Sequence, residues 1–430
     1  MLELWFDFSC PYAYLASRRA PAIARAAGVA LAWMPMLLGG VFRGIGAGDG
    51  PMATQGPAKA AHNLADMHRW AELFGAPFRL PAGHPMRTVR ALRVLLALPD
   101  SRWPGAIDAL YAAYWQRGED ITRDDVIAPA LAAGGASEAD IAAALGRADD
   151  PAIKDELRRR TDEAIALGVF GAPAWVVRRT GRAPVLLWGQ DRIQMLEAVL
   201  EGWDPDAGPP PGGPHPFGDG VQGFASPRTL DVYFDVASPF AYLALTQLPA
   251  LARVTGVAPR LQPIALGALF KDVGQVNVPL HAFPPAKRRY IELDMARWAR
   301  WWGVPLSEPA KFPQRTLTAQ RLCLCAAERG FDTQIALAIA LGRAMWAERR
   351  DLEDDATLAG ILADRGLPRD WLDRTRDPAI KAELAARTAA ARAAGVFGVP
   401  SFAVDGATLF WGQDRLELVM RALGGWTPAR

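Results

Sequence analysis

With 430 residues, 51% of them hydrophobic, the chain has material for two or more full cores. A net charge of +2 gives no electrostatic case for nucleic acid or an anionic membrane as partner. Three cysteines make no disulfide framework, and no uninterrupted apolar run reaches bilayer length, which points to a reducing cytoplasm and against a membrane protein.

The first predicted element is an apolar strand over residues 2–8, with no basic leader ahead of it, so we expect no secretory signal. The chain then turns through Phe6-Asp-Phe-Ser-Cys-Pro-Tyr-Ala-Tyr-Leu into a helix over 11–27. Pro11 suits the first helical position, where its fixed φ is already helical and its missing N–H is not needed. Pro21, inside that helix, is expected to kink or restart it. A second strand follows over 30–36. Helical periodicity then marks 58–74, 87–98, 104–115, 124–133, 138–145 and 152–167, with Thr122 and Ser137 placed as N-caps. Strands over 174–178 and 184–188 flank a turn at Gly181, and a last helix starts at Asp191. The order is βαβ, a helical insertion, then ββα, an α/β arrangement.

The same order then repeats. Phe6 aligns with Phe234 at an offset of 228, and that offset carries Pro11 to Pro239, Lys59 to Lys287, Asp66 to Asp294 and Trp70 to Trp298. Gly168-Val-Phe-Gly-Ala-Pro returns as Gly395-Val-Phe-Gly-Val-Pro, and Trp188-Gly-Gln-Asp-Arg as Trp411-Gly-Gln-Asp-Arg. This is a domain duplication: residues 1–202, a Pro/Gly-rich linker over 203–228, and residues 229–430.

The chemistry gathers where each first strand meets its helix. Ser238 and Cys10 precede the helix-opening proline, at the positive end of the helix dipole among free N–H groups. A sulfur anion is stabilised there, whether the protein's own or that of a bound thiol. Helix capping alone is the other reading of Ser238. A cysteine at this position is expected to have a lowered pKa, and its thiolate would repel a second thiolate beside it. Cys323 and Cys325, two apart on a helix, are expected to be core residues. The histidines, 62, 68, 84, 215 and 281, have no ligand spacing, so no metal site is expected.

Taken together, the Phe234-Asp-Val-Ala-Ser-Pro-Phe-Ala-Tyr-Leu start, the Gly-Val-Phe-Gly-Val-Pro segment and the Trp-Gly-Gln-Asp-Arg segment resemble the thioredoxin-fold family of 2-hydroxychromene-2-carboxylate isomerases and kappa-class glutathione transferases. These are kin of the bacterial disulfide oxidoreductases with an inserted helical domain. The resemblance covers each copy nearly end to end. It implies two tandem thioredoxin-like domains and a bound glutathione in each competent copy. Ser238 takes the position whose hydroxyl meets the glutathione sulfur. Val399 precedes a proline, Pro400, that is cis in the family. Gln413 and Asp414 match the pair that holds the γ-glutamyl end, and Asn277 and Lys287 match positions that close over the tripeptide.

In the first copy Lys59, Ala172, Pro173, Gln190 and Asp191 keep this frame. Cys10 replaces the serine, Asp49 falls opposite Asn277, and His62 opposite Tyr290. The first half is therefore expected to differ in chemistry: an inert remnant, a thiol site that forms a mixed disulfide with glutathione, or an isomerase site. Tyr290, Trp298, Trp301, Trp302, Trp346, Phe397 and Phe410 are expected to be mainly core, with one or two lining a flat pocket for an aromatic substrate.

The resemblance implies a glutathione-dependent isomerase of a small aromatic or conjugated keto acid, with a kappa-type transferase as alternative. A dithiol oxidoreductase is excluded, because Cys10-Pro-Tyr-Ala and Ser238-Pro-Phe-Ala each lack the second cysteine; a monothiol one through Cys10 stays open. A non-catalytic binding protein is the remaining rival. A linker of roughly 25 residues spans on the order of 25–30 Å as a flexible coil, enough to let the two copies pair within one chain as a monomeric pseudo-dimer.

Overall fold

Strands β1 (Leu2–Phe6) and β5 (Leu230–Phe234) are apolar apart from the buried Glu3 and Asp231, because each is the covered centre of a sheet. The structure is a computed structural model describing residues 1–48, 50, 52 and 55–428. In the first half β1 pairs in parallel with β2 (Leu31–Pro35) and antiparallel with β3 (Ala174–Val177), which pairs with β4 (Val185–Trp188). The order β2-β1-β3-β4 recurs as β6-β5-β7-β8, with β6 at Arg260–Pro263, β7 at Ser401–Val404 and β8 at Thr408–Trp411. Helices fill the interval between βαβ and ββα in both halves, so the α/β fold of two thioredoxin-like domains with helical insertions is as expected.

The register sets the site. Tyr233 of β5 lies opposite Ser401 of β7, and Ser401 opposite Trp411 of β8. The three recurring motifs leave the sheet at or just beyond those residues, so they meet at one edge. Trp5, Ala174 and Trp188 do the same in the first half.

Several local expectations change. Helices Pro11–Ala26 and Pro239–Thr255 run unbroken through Pro21 and Pro249, which both lie on the exposed face. Thr122 is not a cap: the helix starts at Asp124 after Arg123, and Thr122 instead bonds the Asp120 carboxylate. Ser137 does cap, accepting the Asp140 N–H at 3.1 Å. Two short helices, Leu38–Gly44 and Leu266–Asp272, escaped sequence reading because glycines interrupt their apolar pattern. Cys323 and Cys325 are fully buried.

The connecting segment forms neither helix nor strand between Leu200 and Leu230, yet it is not a free coil. His215 N–H bonds the Trp301 carbonyl, Phe217 N–H the Gln247 side chain, and Phe224 N–H the Val254 carbonyl. It is laid along the second domain's helices. None of the described helices is long and apolar enough to cross a membrane.

The halves pack through the first helix of each insertion. Helix Pro57–Leu73 crosses onto the second domain, where His62 meets Phe397 and Trp411 and Arg69 donates to the Leu409 carbonyl at 2.7 Å. Helix Pro285–Trp302 crosses onto the first, where the Trp188 N–H donates to the Tyr290 hydroxyl at 2.7 Å and Arg297 donates to the Leu186 carbonyl.

Candidate active site

A buried aspartate shapes each helix start. Asp235 accepts from Ala237 N–H at 2.9 Å, Leu266 N–H at 2.9 Å and the Thr316 hydroxyl at 2.7 Å. It thereby fixes the turn before Ser238 and the start of the next helix. Asp7 does the same through Ser9, Leu38 and Thr88. Burial pushes both carboxyls up, against the lowering effect of these donors. Trp346 Nε1 donates to the Val236 carbonyl at 2.8 Å, and Trp115 Nε1 to the Phe8 carbonyl at 2.8 Å, closing the turn from the insertion side.

Ser238 is a cap and more. Its Oγ accepts the Ala241 N–H at 3.2 Å, which uses one lone pair. Its O–H remains free to donate and reaches the Val399 carbonyl at a long 3.3 Å. The Val399–Pro400 peptide is cis, as is Ala172–Pro173. An anion arriving beside Ser238 meets an O–H held by one weak acceptor.

Cys10 has the same backbone, φ −97° against −97° at Ser238, but different chemistry. Its thiol donates to the Ala172 carbonyl at 3.1 Å. Burial pushes its pKa up to about 12, outweighing the Ala13 and Tyr12 N–H groups, and the nearby Asp7 adds to the rise. The expected low-pKa thiolate is therefore corrected: the N-terminal N–H groups help, but desolvation at 7% exposure is larger, and a sulfur anion would face a carbonyl lone pair. Cys10 is a neutral, weak donor at neutral pH. Iodoacetamide at pH 7.5 should accordingly label the folded protein far more slowly than free cysteine, with three alkylations per chain after denaturation, followed by intact mass. Rapid single labelling at Cys10 would contradict this.

Beyond the cis prolines lies a buried ionic network that joins the halves. Arg192 meets Asp191 at 3.0 Å, Asp294 at 3.0 Å and Asp414 at 2.9 Å. Arg415 meets Asp66 at 3.0 Å, Asp191 at 2.8 Å and Asp414 at 3.1 Å. Four carboxylates thus face two guanidiniums. Arg69 and Arg297 flank the cluster, but donate to the Leu409 carbonyl and to Asp206 and the Leu186 carbonyl. Burial is the largest influence on both central aspartates. The two guanidiniums overcome it at Asp191, held below the usual carboxylate range; Asp414 is raised, with the charges of Asp191 and Asp294 adding to burial.

The Trp-Gly-Gln-Asp-Arg motif has a steric logic here. Gly412 sits at φ +110°, and a Cβ there would come within 2.5 Å of Asp414 Oδ1. A Cβ on Gly398 would strike Trp411 Nε1 at 2.8 Å. The glycines let Asp414 fold back and the tryptophan press onto the Gly-Val-Phe-Gly turn.

Gln190 and Gln413 are buried beside these turns, as are Ala172 and Val399. Asn277 is exposed, its Oδ1 close to Gly267 at the start of the helix tied to Asp235. Asp49 lies outside the described residues. Lys287 stays in its own domain over Phe283, but Lys59 lies over Trp411 of the other copy. His62 is buried with neither ring nitrogen bonded among the described residues, and burial lowers its pKa to about 4. It is a neutral packing residue where Tyr290 makes a hydrogen bond. Trp298, Trp302, Trp346, Phe397 and Phe410 are buried, and Trp301 packs on Trp203 and His215. These aromatics serve cores, the linker and the domain contact.

Sequence reading missed Arg192, Arg415, Asp66 and Asp294 as site residues. The signal was present: both arginines end a repeated motif, and both aspartates align under the common offset.

A family model described as the DSBA-like thioredoxin domain matches residues 1–201 and 229–424. The 2-hydroxychromene-2-carboxylate isomerase of Sphingobium xenophagum is 34% identical over 199 residues, 45% of this chain and 96% of that protein. Glutathione S-transferase kappa 1 of Rattus norvegicus is 29% identical over 211 residues, 46% of this chain and 92% of that protein. A solved 2-hydroxychromene-2-carboxylate isomerase structure aligns at 27% identity over 46% of this chain and 94% of its own, with a TM-score of 0.42.

Proposed function

The chain belongs to the DsbA-like thioredoxin domain family in both halves, alongside the 2-hydroxychromene-2-carboxylate isomerases and kappa-class glutathione transferases, and on that footing we propose a glutathione-dependent isomerase acting at Ser238 on a small aromatic or conjugated keto acid. The observation that carries the reading is the Ser238 hydroxyl: it caps the helix through a lone pair and keeps its proton for a neighbour, next to Val399 and Pro400. Bound glutathione would supply a thiolate that adds to a conjugated double bond, leaves a single bond free to rotate, and departs unchanged.

The chain's own part is electrostatic. Ser238 donates its O–H to the sulfur and, with the helix N-terminus, favours the charged form at neutral pH. Four carboxylates against two guanidiniums suit an added ammonium, so Asp414, with Gln413, takes the γ-glutamyl end. Val399 meets the tripeptide backbone, and Asn277 and Lys287 close over its far end. Lys59, Ala172, Pro173, Gln190 and Asp191 repeat this frame in the first half. There we assign Cys10 no nucleophilic role at neutral pH, which also weighs against the monothiol oxidoreductase.

The test is incubation of the chain with glutathione and 2-hydroxychromene-2-carboxylate, the substrate in the relative's name. Interconversion without loss of glutathione is expected. Formation of a stable conjugate would instead mark a transferase, and neither outcome would sink the enzymatic reading. We further propose that the two halves replace the subunits of a dimer. Light scattering at micromolar concentration should then return one chain mass, 46.5 kDa. Twice that mass would contradict it.

A further inference from the structure

One face of the second sheet carries a cavity of about 300 Å³. Asp231 and Tyr233 of β5, Arg260 and Gln262 of β6, and Arg387 and Ala390 of helix Pro378–Ala393 line it. None of the six belongs to the ionic network or to the proposed glutathione contacts. Hydrogen bonds run along its wall. Arg260 Nη2 donates to the Asp231 carboxylate at 2.6 Å, Gln262 Nε2 donates to the same carboxylate at 3.0 Å, and Arg387 Nη1 donates to Gln262 Oε1 at 2.7 Å. Arg387 Nε is taken by Glu383, which does not line the cavity. These bonds satisfy the carboxylate and leave donors over. Among the described residues, Arg260 Nε and Nη1, Arg387 Nη2 and the Tyr233 hydroxyl have no hydrogen-bond partner. Two guanidiniums against one carboxylate give the lining one positive charge in excess.

The first copy fills the same place. The offset of 228 sets Trp5 against Tyr233 and Met34 against Gln262; an offset of 227, fixed by Asp150-Pro-Ala-Ile-Lys and Asp377-Pro-Ala-Ile-Lys, sets Arg160 against Arg387 and Glu163 against Ala390. Trp5 is fully buried, with Nε1 donating to Glu3 at 3.0 Å. The Arg160 guanidinium lies over the Trp103 ring at 5.3 Å, and Glu163 meets Arg178 at 3.3 Å. In the second copy the indole is exchanged for a phenol and the glutamate for an alanine, which opens space beside an arginine that both copies keep.

We propose that this cavity is a binding site for a small, flat organic carboxylate, held by the free N–H groups of Arg260 and Arg387 with its body against the Tyr233 ring and Ala390. A planar guanidinium matches a carboxylate, and the space is more than a bare inorganic anion fills, at the lower end of small-molecule sites, about 300–1,000 Å³. The inference stands apart from the glutathione reading.

Fluorine NMR of para-fluorobenzoate titrated with the full chain tests it. Saturable binding with a Kd of about 1 mM or tighter is expected. Arg387→Gln should weaken it about tenfold or more, and so should Tyr233→Trp combined with Gln262→Met, which rebuilds the first copy's wall. The neutral para-fluorobenzamide should bind at least about tenfold more weakly, and Ser238→Ala should bind fluorobenzoate as the wild type does. No binding at that level, wild-type affinity in Arg387→Gln or in the refilled double variant, or equal binding of the amide would overturn the site. A loss in Ser238→Ala that Arg387→Gln does not share would put the ligand elsewhere and overturn it too. Inorganic phosphate that displaces fluorobenzoate at equal concentration would overturn the assignment to an organic carboxylate.

Discussion

Ser238→Ala is expected to lower turnover by about 10²–10³-fold and to raise the pKa of bound glutathione, with the fold retained. The size follows from what the hydroxyl does. Its lone pair caps a helix, a role worth about 0.5–2 kcal/mol and affordable in a large domain. Its proton is held only by a 3.3 Å bond to the Val399 carbonyl, and in the proposed reading it is the donor that meets the glutathione sulfur. Loss of a donor to a full anion is felt in the chemical step, so kcat should fall more than KM rises. Ser238→Cys, which copies the first half, should fall between wild type and alanine. Burial keeps a thiol at this position neutral, as it does Cys10, but S–H is a weak donor. Stopped-flow turnover against pH, with a urea midpoint for each variant, separates chemistry from stability. Wild-type turnover in Ser238→Ala would remove Ser238 from the mechanism.

Much of this was legible in the sequence because duplication prints each functional motif twice. The serine and cysteine at the helix starts, the prolines just before β3 and β7, and the Gln-Asp pairs were visible as repeated words. The sheet register alone then brings them to one edge. What was not legible depends on packing between halves. The duplication offset places Lys59 in its own copy's frame, but helix Pro57–Leu73 crosses the boundary and delivers it to Trp411. The sign of the Cys10 shift was misread for a related reason. The helix N-terminus is visible in sequence, whereas full burial against the Ala172 carbonyl is a property of the closed fold. Asp7 and Asp235 stood in plain view inside the motif, yet beside one local partner each has others 31 and 81 residues away, beyond any local pattern.

Arg415→Met is the substitution expected to damage the structure most. Arg415 is nearly buried and holds Asp66, Asp191 and Asp414 at 3.0, 2.8 and 3.1 Å. Asp66 comes from the first domain's crossing helix and Asp414 from the second domain's turn, so one guanidinium closes both the domain contact and the site edge. A buried ion pair contributes little over a well-packed apolar group, but removing one partner strands the other's charge, at about 3–5 kcal/mol. Here three carboxylates lose a partner, and of the two central guanidiniums only Arg192 remains, which meets Asp191 and Asp414. The sign with pH follows. Without Arg415 the stranded carboxyls have folded-state pKa values raised above their unfolded values. Their folded forms then bind protons more readily, and the deficit shrinks as pH falls through the raised values. Urea unfolding at about pH 7.5 and about pH 5 should therefore show a large gap between wild type and variant that narrows at the lower pH. Adding Asp66→Asn to Arg415→Met should recover part of the loss, because one stranded charge is removed with its partner. A variant within about 1 kcal/mol of wild type at both pH values would mean that the network behaves as a set of solvent-screened surface pairs, and the domain boundary would then be held by the crossing helices' apolar contacts and not by charge.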